Sequence, residues 1–158
     1  MRKIDEKTGY EIPSKRRTEF QKDELLDIID FFVQYRAIFD ENSAKSLNCS
    51  PQKAAHDFTM LLYHYGIMDL NYFENLDEIR AKYEKRHIRD LSDEKLDFNE
   101  IMTIFTFIHR AERHAGGWYR DCIKNGTYLN LLKRLEEIKN KLNEGDNHGS
   151  MSELRKLG

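Results

Sequence analysis

Asp97 to Gly117 reads DFNEIMTIFTFIHRAERHAGG, and the periodicity of this stretch decides the fold. At about 100° of rotation per residue, Ile101, Ile104, Phe105, Ile108 and Ala115 share one side of a helix, while Thr103, Thr106 and Arg110 fall on the other. The spacing predicts an amphipathic helix at the hub of a helical domain. Glu112 breaks the division: it sits between Ile101 and Phe105 on the wheel, in the face expected to enter the core. A carboxylate there must be protonated, be turned outward, or be paired with a buried cation. Arg36, near the centre of an apolar stripe on another helix, is the matching defect, so an internal ion pair between Arg36 and Glu112 is expected, with Arg113, Arg120 or Arg134 as the other available cations.

Outward from the hub, the other apolar stripes also repeat at helical spacing. Thr18 and Gln21 fit a capping box for a first helix reaching about Asn42, with Leu25, Ile28, Ile29, Phe32, Tyr35 and Phe39 inward. Ser50-Pro51 is a helix start, because proline at the first position gives up only an N–H that has no partner there, and Gly66 is the matching stop. Between them Ala54, Ala55, Phe58, Leu61, Leu62 and Tyr65 face inward. After an aromatic connection from Ile67 to Phe73, Asn75 is placed to cap a short helix to about Glu84. Trp118 to Lys124 makes a two-turn helix ended by Asn125-Gly126, and Thr127 is placed to cap the last helix, which carries Tyr128, Leu131, Leu132, Leu135, Ile138 and Leu142. The expected fold is all-α, a single compact bundle of five or six helices over residues 18–143. Residues 1–17 read as a mobile basic arm whose Lys15, Arg16 and Arg17 have the charge to touch phosphate. Residues 144–158 read as a disordered tail whose Gly149-Ser150-Met151 has the look of a cloning scar.

Composition limits the chemistry. A chain of 158 residues suffices for one core, and 34% charge with only two prolines suits helices. A net charge of −2 lacks the basic excess of a general nucleic-acid coat. Two cysteines, Cys49 and Cys122, define no disulfide framework, and no apolar run is long enough for a membrane span, so a cytoplasmic protein without a membrane partner is expected. His56 and His64 are two turns apart, too far for one ion, and no HExxH or CxxC spacing or phosphate-cradling glycine loop occurs. Neither a metal nor a cofactor is expected.

The run Ile108-His-Arg-Ala-Glu-Arg-His-Ala-Gly-Gly117, the following Ile123-x-x-Gly126, and the Arg134-Leu135-x-Glu137 of the last helix resemble the bacterial family of domain of unknown function 6508. Leu62-Tyr63-x-x-Gly66 with Phe73 is similar to that family's upstream region, so the likeness covers roughly residues 58 to 138. His114 stands where the family's signature often carries phenylalanine. The resemblance implies a shared fold and supplies no activity.

Three functional expectations follow. The favoured one is a non-enzymatic helical binding or regulatory module, of the kind carried by phages or other mobile elements, that docks on a protein partner as an inhibitor does. Aromatics amid dense mixed charge suit such a face. The alternative from another class is a small enzyme or ligand-binding protein using Arg110, Glu112, Arg113 and His114, with Trp118 beside them, on an anionic or nucleotide-type ligand. The third is nucleic-acid contact through the basic stretch Arg80 to Arg89, where Tyr83 and His87 interleave with Arg86 and Arg89.

Overall fold

The computed structural model describes residues 3–4, 11–12, 17–40 and 50–146. Two residues of β1 (Lys3–Ile4) pair antiparallel with two of β2 (Glu11–Ile12), Lys3 opposite Ile12. Every other described element is helical: α1 (Lys22–Val33), α2 (Arg36–Phe39), α3 (Pro51–His64), α4 (Tyr72–Tyr83), α5 (Ile88–Leu91), α6 (Phe98–His114), α7 (Trp118–Lys124) and α8 (Thr127–Asp146). The bundle is all-α, but the count of five or six is too low: with α2 taken as the continuation of α1 there are seven helical units among the described residues. The extra unit is α5, a single turn inside the segment that leads into α6.

The local signals explain most boundaries. Ser50 accepts a hydrogen bond from the Lys53 N–H at 3.1 Å and Pro51 opens α3, while Gly66 takes the left-handed conformation beyond its end (φ +68°). Asp97 and Glu100 form a reciprocal capping box at the start of α6. Three starts differ from expectation. Thr18 does not cap α1, which begins after an uncapped Gln21. Asn75 lies inside α4, whose first turn is Tyr72 to Asn75. Thr127 is the first residue of α8, and Asn125 is its acceptor: the Asn125 Oδ1 receives both the backbone N–H and the hydroxyl of Thr127, at 3.0 and 2.5 Å. Cys49 and the expected extension of the first helix past Asp40 lie outside the described residues.

The core is a stack of aromatic rings. Phe58 of α3 stands edge-on to Phe32 (4.8 Å between centroids), Phe105 (4.7 Å) and Tyr128 (5.9 Å), so one ring joins α1, α3, α6 and α8. Phe39 lies flat on Tyr128 at 5.0 Å. Around these rings Ile28, Ile29, Leu62, Ile104, Leu131, Leu132 and Leu135 are fully buried. The Arg17 N–H donates to the Gly66 carbonyl (3.0 Å) and Asn99 Nδ2 donates to the Thr18 carbonyl (3.2 Å), so residues 17 and 18 lie on the bundle. Arg17 itself is paired with Glu24.

The far side of α6 is the main departure from the periodicity. Thr103 and Thr106, expected outside, are fully buried because α4 packs over them. Both serve Asp69, itself buried: the Thr103 hydroxyl donates to Asp69 Oδ2 at 2.7 Å, and the Thr106 Oγ1 accepts the Asp69 N–H at 3.1 Å. Asn75 Nδ2 and the Asn71 N–H also donate to this carboxylate, each at 2.9 Å, so Asp69 ties the loop before α4 to the middle of α6.

Tyr128 stands apart from these satisfied groups. The Tyr128 hydroxyl, in a fully buried side chain, has no hydrogen-bond partner among the described residues, and burial pushes its pKa well above the usual tyrosine value. Because an orphaned buried hydroxyl costs its desolvation without return, Tyr128→Phe is expected to keep the fold and raise stability by about 1 kcal/mol. Urea denaturation checks this; a loss of more than about 1 kcal/mol would show that the hydroxyl has a partner.

Candidate functional site

The signature run Arg110 to Trp118 crosses the end of α6, the turn, and the start of α7. Gly117 sits at φ +107°, a region that side-chain-bearing residues avoid. A Cβ at this position would come 3.2 Å from the Nη2 of the exposed Arg120, a flexible head group that can move aside, so it is the backbone that calls for glycine. The turn folds α7 back along α6, and Glu112 finds its partner there: the half-buried carboxylate accepts the Tyr119 N–H at 3.1 Å. That N–H belongs to the first turn of α7, where backbone donors lack intrahelical acceptors and Gly117 offers no side chain to cap them.

The expected Arg36–Glu112 pair does not form. Arg36 instead pairs with Glu136 of α8, and its side chain is 38% exposed. The reason is the break at Gln34-Tyr35 between α1 and α2, which shifts the phase of the stripe and carries Arg36 off its centre toward α8. Nor do Arg113, Arg120 or Arg134 replace it: Arg120 meets Asp121 at 3.5 Å, Arg134 meets Glu137 at 3.0 Å and the Leu96 carbonyl at 2.7 Å, and Arg113 has no ion pair among the described residues. A buried carboxylate does find a cation elsewhere: Glu100 (9% exposed) meets the exposed Lys82 at 3.0 Å. Glu100 also accepts the Tyr83 hydroxyl at 2.7 Å. Burial first, and then that carboxylate, push the Tyr83 pKa up to about 12.

Arg110, Glu112, Arg113 and His114 are not gathered around one cavity. Positions two apart on a helix diverge by about 200°, so Arg110 does not share the side on which Glu112 meets α7. Arg113 and His114 are exposed and Arg110 is half-buried. Two surface pockets, of about 220 and 320 Å³, are lined by other residues. The larger holds the Lys82–Glu100 pair with Asn75, Asn99 and Thr103, and the ammonium and carboxylate in it are already bonded to each other. Among the described residues no group of three or more His, Cys, Asp or Glu side chains is placed to hold a metal, and no helix is long and apolar enough to cross a membrane.

Behind Glu112 is a buried polar pair that the sequence reading passed over. His109 Nδ1 and the Tyr119 hydroxyl share a hydrogen bond at 2.6 Å, both side chains buried, with Tyr63 edge-on to the imidazole. Burial pushes the Tyr119 pKa up to about 12, with the Glu112 charge adding to the rise and Thr59 and Arg113 opposing it. The neighbouring Cys122 thiol is pushed up to about 12 by burial, then by Asp121, which makes it a packing group and not a nucleophile at neutral pH.

Nor is the basic stretch one helical face. Glu84, left-handed at φ +55°, ends α4 inside it, and α5 begins only at Ile88. Arg80 donates to the Arg86 carbonyl at 2.9 Å and lies 3.5 Å from Asp77, while Arg89 pairs with Asp93 and donates to the Asn125 carbonyl at 2.8 Å. Arg86 and His87 are exposed.

What the structure does assemble is a row of rings across three helices. Phe73, 67% exposed, stacks on Tyr72 (4.5 Å); Tyr72 reaches Phe107 (6.3 Å); Phe107 meets Trp118 edge-on (5.3 Å, 89°). The Arg80 guanidinium lies over Phe107 at 5.8 Å, and Leu70 is 40% exposed just before α4. Of these residues only Arg80 and Trp118 were expected in a site. Tyr72 and Phe73 were visible as an aromatic connection, whereas Phe107 is indistinguishable from a core residue until α7 is placed beside it.

Two measurements test this geometry. Glu112→Ala frees the Tyr119 N–H and is expected to cost about 1–2 kcal/mol in urea denaturation, with Glu112→Gln, which keeps an acceptor, costing less; equal losses would remove the capping role. Tyr119 holds its proton more tightly folded than unfolded, so its contribution to stability is complete below pH 10 and is lost as pH rises toward about 12. Tyr119→Phe should flatten that alkaline decline by roughly 1–3 kcal/mol, without abolishing it because Tyr83 is raised the same way.

Comparison with curated proteins returns no match, and comparison with solved structures returns none. A family model described as a family of unknown function, DUF6508, matches residues 17–141. That span takes in α1 to α7 and most of α8, including the capping carboxylate, the left-handed glycine and the ring row. The chain belongs to the DUF6508 family.

Proposed function

We propose that this chain is a non-enzymatic helical binding module that acts by docking on a protein partner. The observation carrying this reading is the ring row from Phe73 to Trp118, where Phe73 is exposed and Tyr72, Phe107 and Trp118 are each half-buried beside it. Aromatic side chains offer wide contact area with few rotamers to freeze, which is why they dominate the energetics of protein interfaces. Scattered exposed apolar residues need no explanation, but a connected set rimmed by polar residues marks an interaction site. Two further features support the reading. The signature glutamate is engaged in holding α7 against α6, and that brings Trp118 up to Phe107. The ion pairs Arg36–Glu136 and Lys139–Asp30 clamp α1 and α2 to α8, helices that contribute no ring to the row.

The purified full chain is expected to recover a protein from lysate of its native host in fixed stoichiometry. Phe73→Asp should lose that protein while keeping the helical circular dichroism of the parent. Recovery of nothing, or of nucleic acid alone, sinks the reading.

A further inference from the structure

Asn125-Gly126, the chain's one Asn-Gly pair, does more than separate α7 from α8. The Cγ of an asparagine is open to attack by the backbone nitrogen of the next residue, and glycine, with no Cβ in the way, hinders that approach least. Asn125 is exposed, Gly126 holds the left-handed conformation (φ +85°), and a Cβ built on Gly126 meets nothing within 4 Å. Water therefore has access to the pair.

The folded turn nevertheless keeps the reacting atoms apart. Asn125 has ψ 0°. Substituents on a tetrahedral Cα are spaced by about 120°, so at this ψ the Gly126 nitrogen stands that far around the Cα–C bond from Cβ. Closing a five-membered ring requires the two to be eclipsed. The Asn125 Oδ1 is tied down by the N–H and the hydroxyl of Thr127, at 3.0 and 2.5 Å. The attacking nitrogen is engaged as well, its N–H donating to the Ile123 carbonyl at 3.3 Å. Arg89 Nε donates to the Asn125 carbonyl at 2.8 Å and so holds the peptide plane that ring closure must rotate.

We propose that Asn125 is a spontaneous deamidation site, gated by opening of the α7–α8 turn. When the Thr127 and Arg89 contacts release together, the Asn125 ψ is free to rotate. The Gly126 nitrogen then gives its proton to water and bonds to the Asn125 Cγ, the Cγ–Nδ2 bond breaks, and ammonia leaves. Water opens the resulting succinimide at one carbonyl or the other, giving aspartate or isoaspartate with no change in oxidation state. The two products differ in what they do to α8. Aspartate keeps an acceptor for Thr127 and sets a negative charge at the positive end of the helix. Isoaspartate carries an extra backbone methylene through the turn, which moves the acceptor away from Thr127. One product re-seals the turn and the other leaves it open.

The full chain is incubated in mildly alkaline buffer, folded and in guanidinium chloride, and the conversion of Asn125 to aspartate and isoaspartate is followed by peptide mass mapping. The folded chain is expected to gain both products at a rate about tenfold or more below that of the denatured chain, because only the opened turn reacts. Thr127→Val removes the hydroxyl donor and should speed the folded reaction about fivefold, while leaving the denatured rate unchanged. Thr127→Ser keeps the hydroxyl and should stay closer to the parent. Circular dichroism confirms that each variant is folded before its rate is compared. The assignment is overturned if the folded chain accumulates no product at Asn125, if folded and denatured chains react equally fast, or if Thr127→Val reacts no faster than Thr127→Ser.

Discussion

From Glu100 to His109 every residue of α6 but Phe107 is buried, which leaves no solvent for the polar side chains there, and that constraint organises this molecule around the buried stretch. Each polar group on it must find an internal partner or forfeit a few kcal/mol. Glu100 finds Lys82 and Tyr83; Thr103 and Thr106 find Asp69; His109 finds Tyr119; Glu112 finds the Tyr119 N–H. Taken in sequence, these contacts fix α4 across one side of the helix and α7 across its end. The aromatic stack at Phe58 supplies bulk cohesion, but hydrophobic contact is tolerant of sliding. The polar pairs set the register, because a shifted helix would strand several of them at once.

The surface row is a by-product of that same register. Phe107 lies on α6 between the threonines that hold α4 and the glutamate that holds α7. Its ring therefore comes to rest between Tyr72 of one helix and Trp118 of the other, partly open to water. Positioning a contact surface through buried hydrogen bonds a turn or two away keeps it preorganised. Less ordering entropy is then lost when something binds.

Much of this architecture was legible in the sequence. The apolar periodicity of α1, α3, α6 and α8 is unambiguous, and Ser50-Pro51 and Gly66 mark the boundaries of α3 because their chemistry is local. The buried side of α6 was misread because Thr103 and Thr106 look like solvent-facing residues until Asp69, more than thirty positions away, is placed against them. A pair of threonines three apart in an otherwise apolar helix is the signal that was present. Glu112 was matched with Arg36 because charge reasoning pairs side chains with side chains, and its true partner is a backbone donor created by a turn. The ring row was only half visible, since sequence spacing shows which residues share a helix face but not which second helix leaves that face uncovered.

The clamp between α1–α2 and α8 joins residues a hundred positions apart. During synthesis the first helix leaves the ribosome with Phe32 and Phe39 exposed, and the rings that will cover them, Phe58, Phe105 and Tyr128, follow on α3, α6 and α8. Until then the nascent chain carries an unsatisfied apolar stripe, the condition under which cellular holdases bind. Packing of the first helix therefore waits for α8, which supplies Tyr128 and both ion-pair partners.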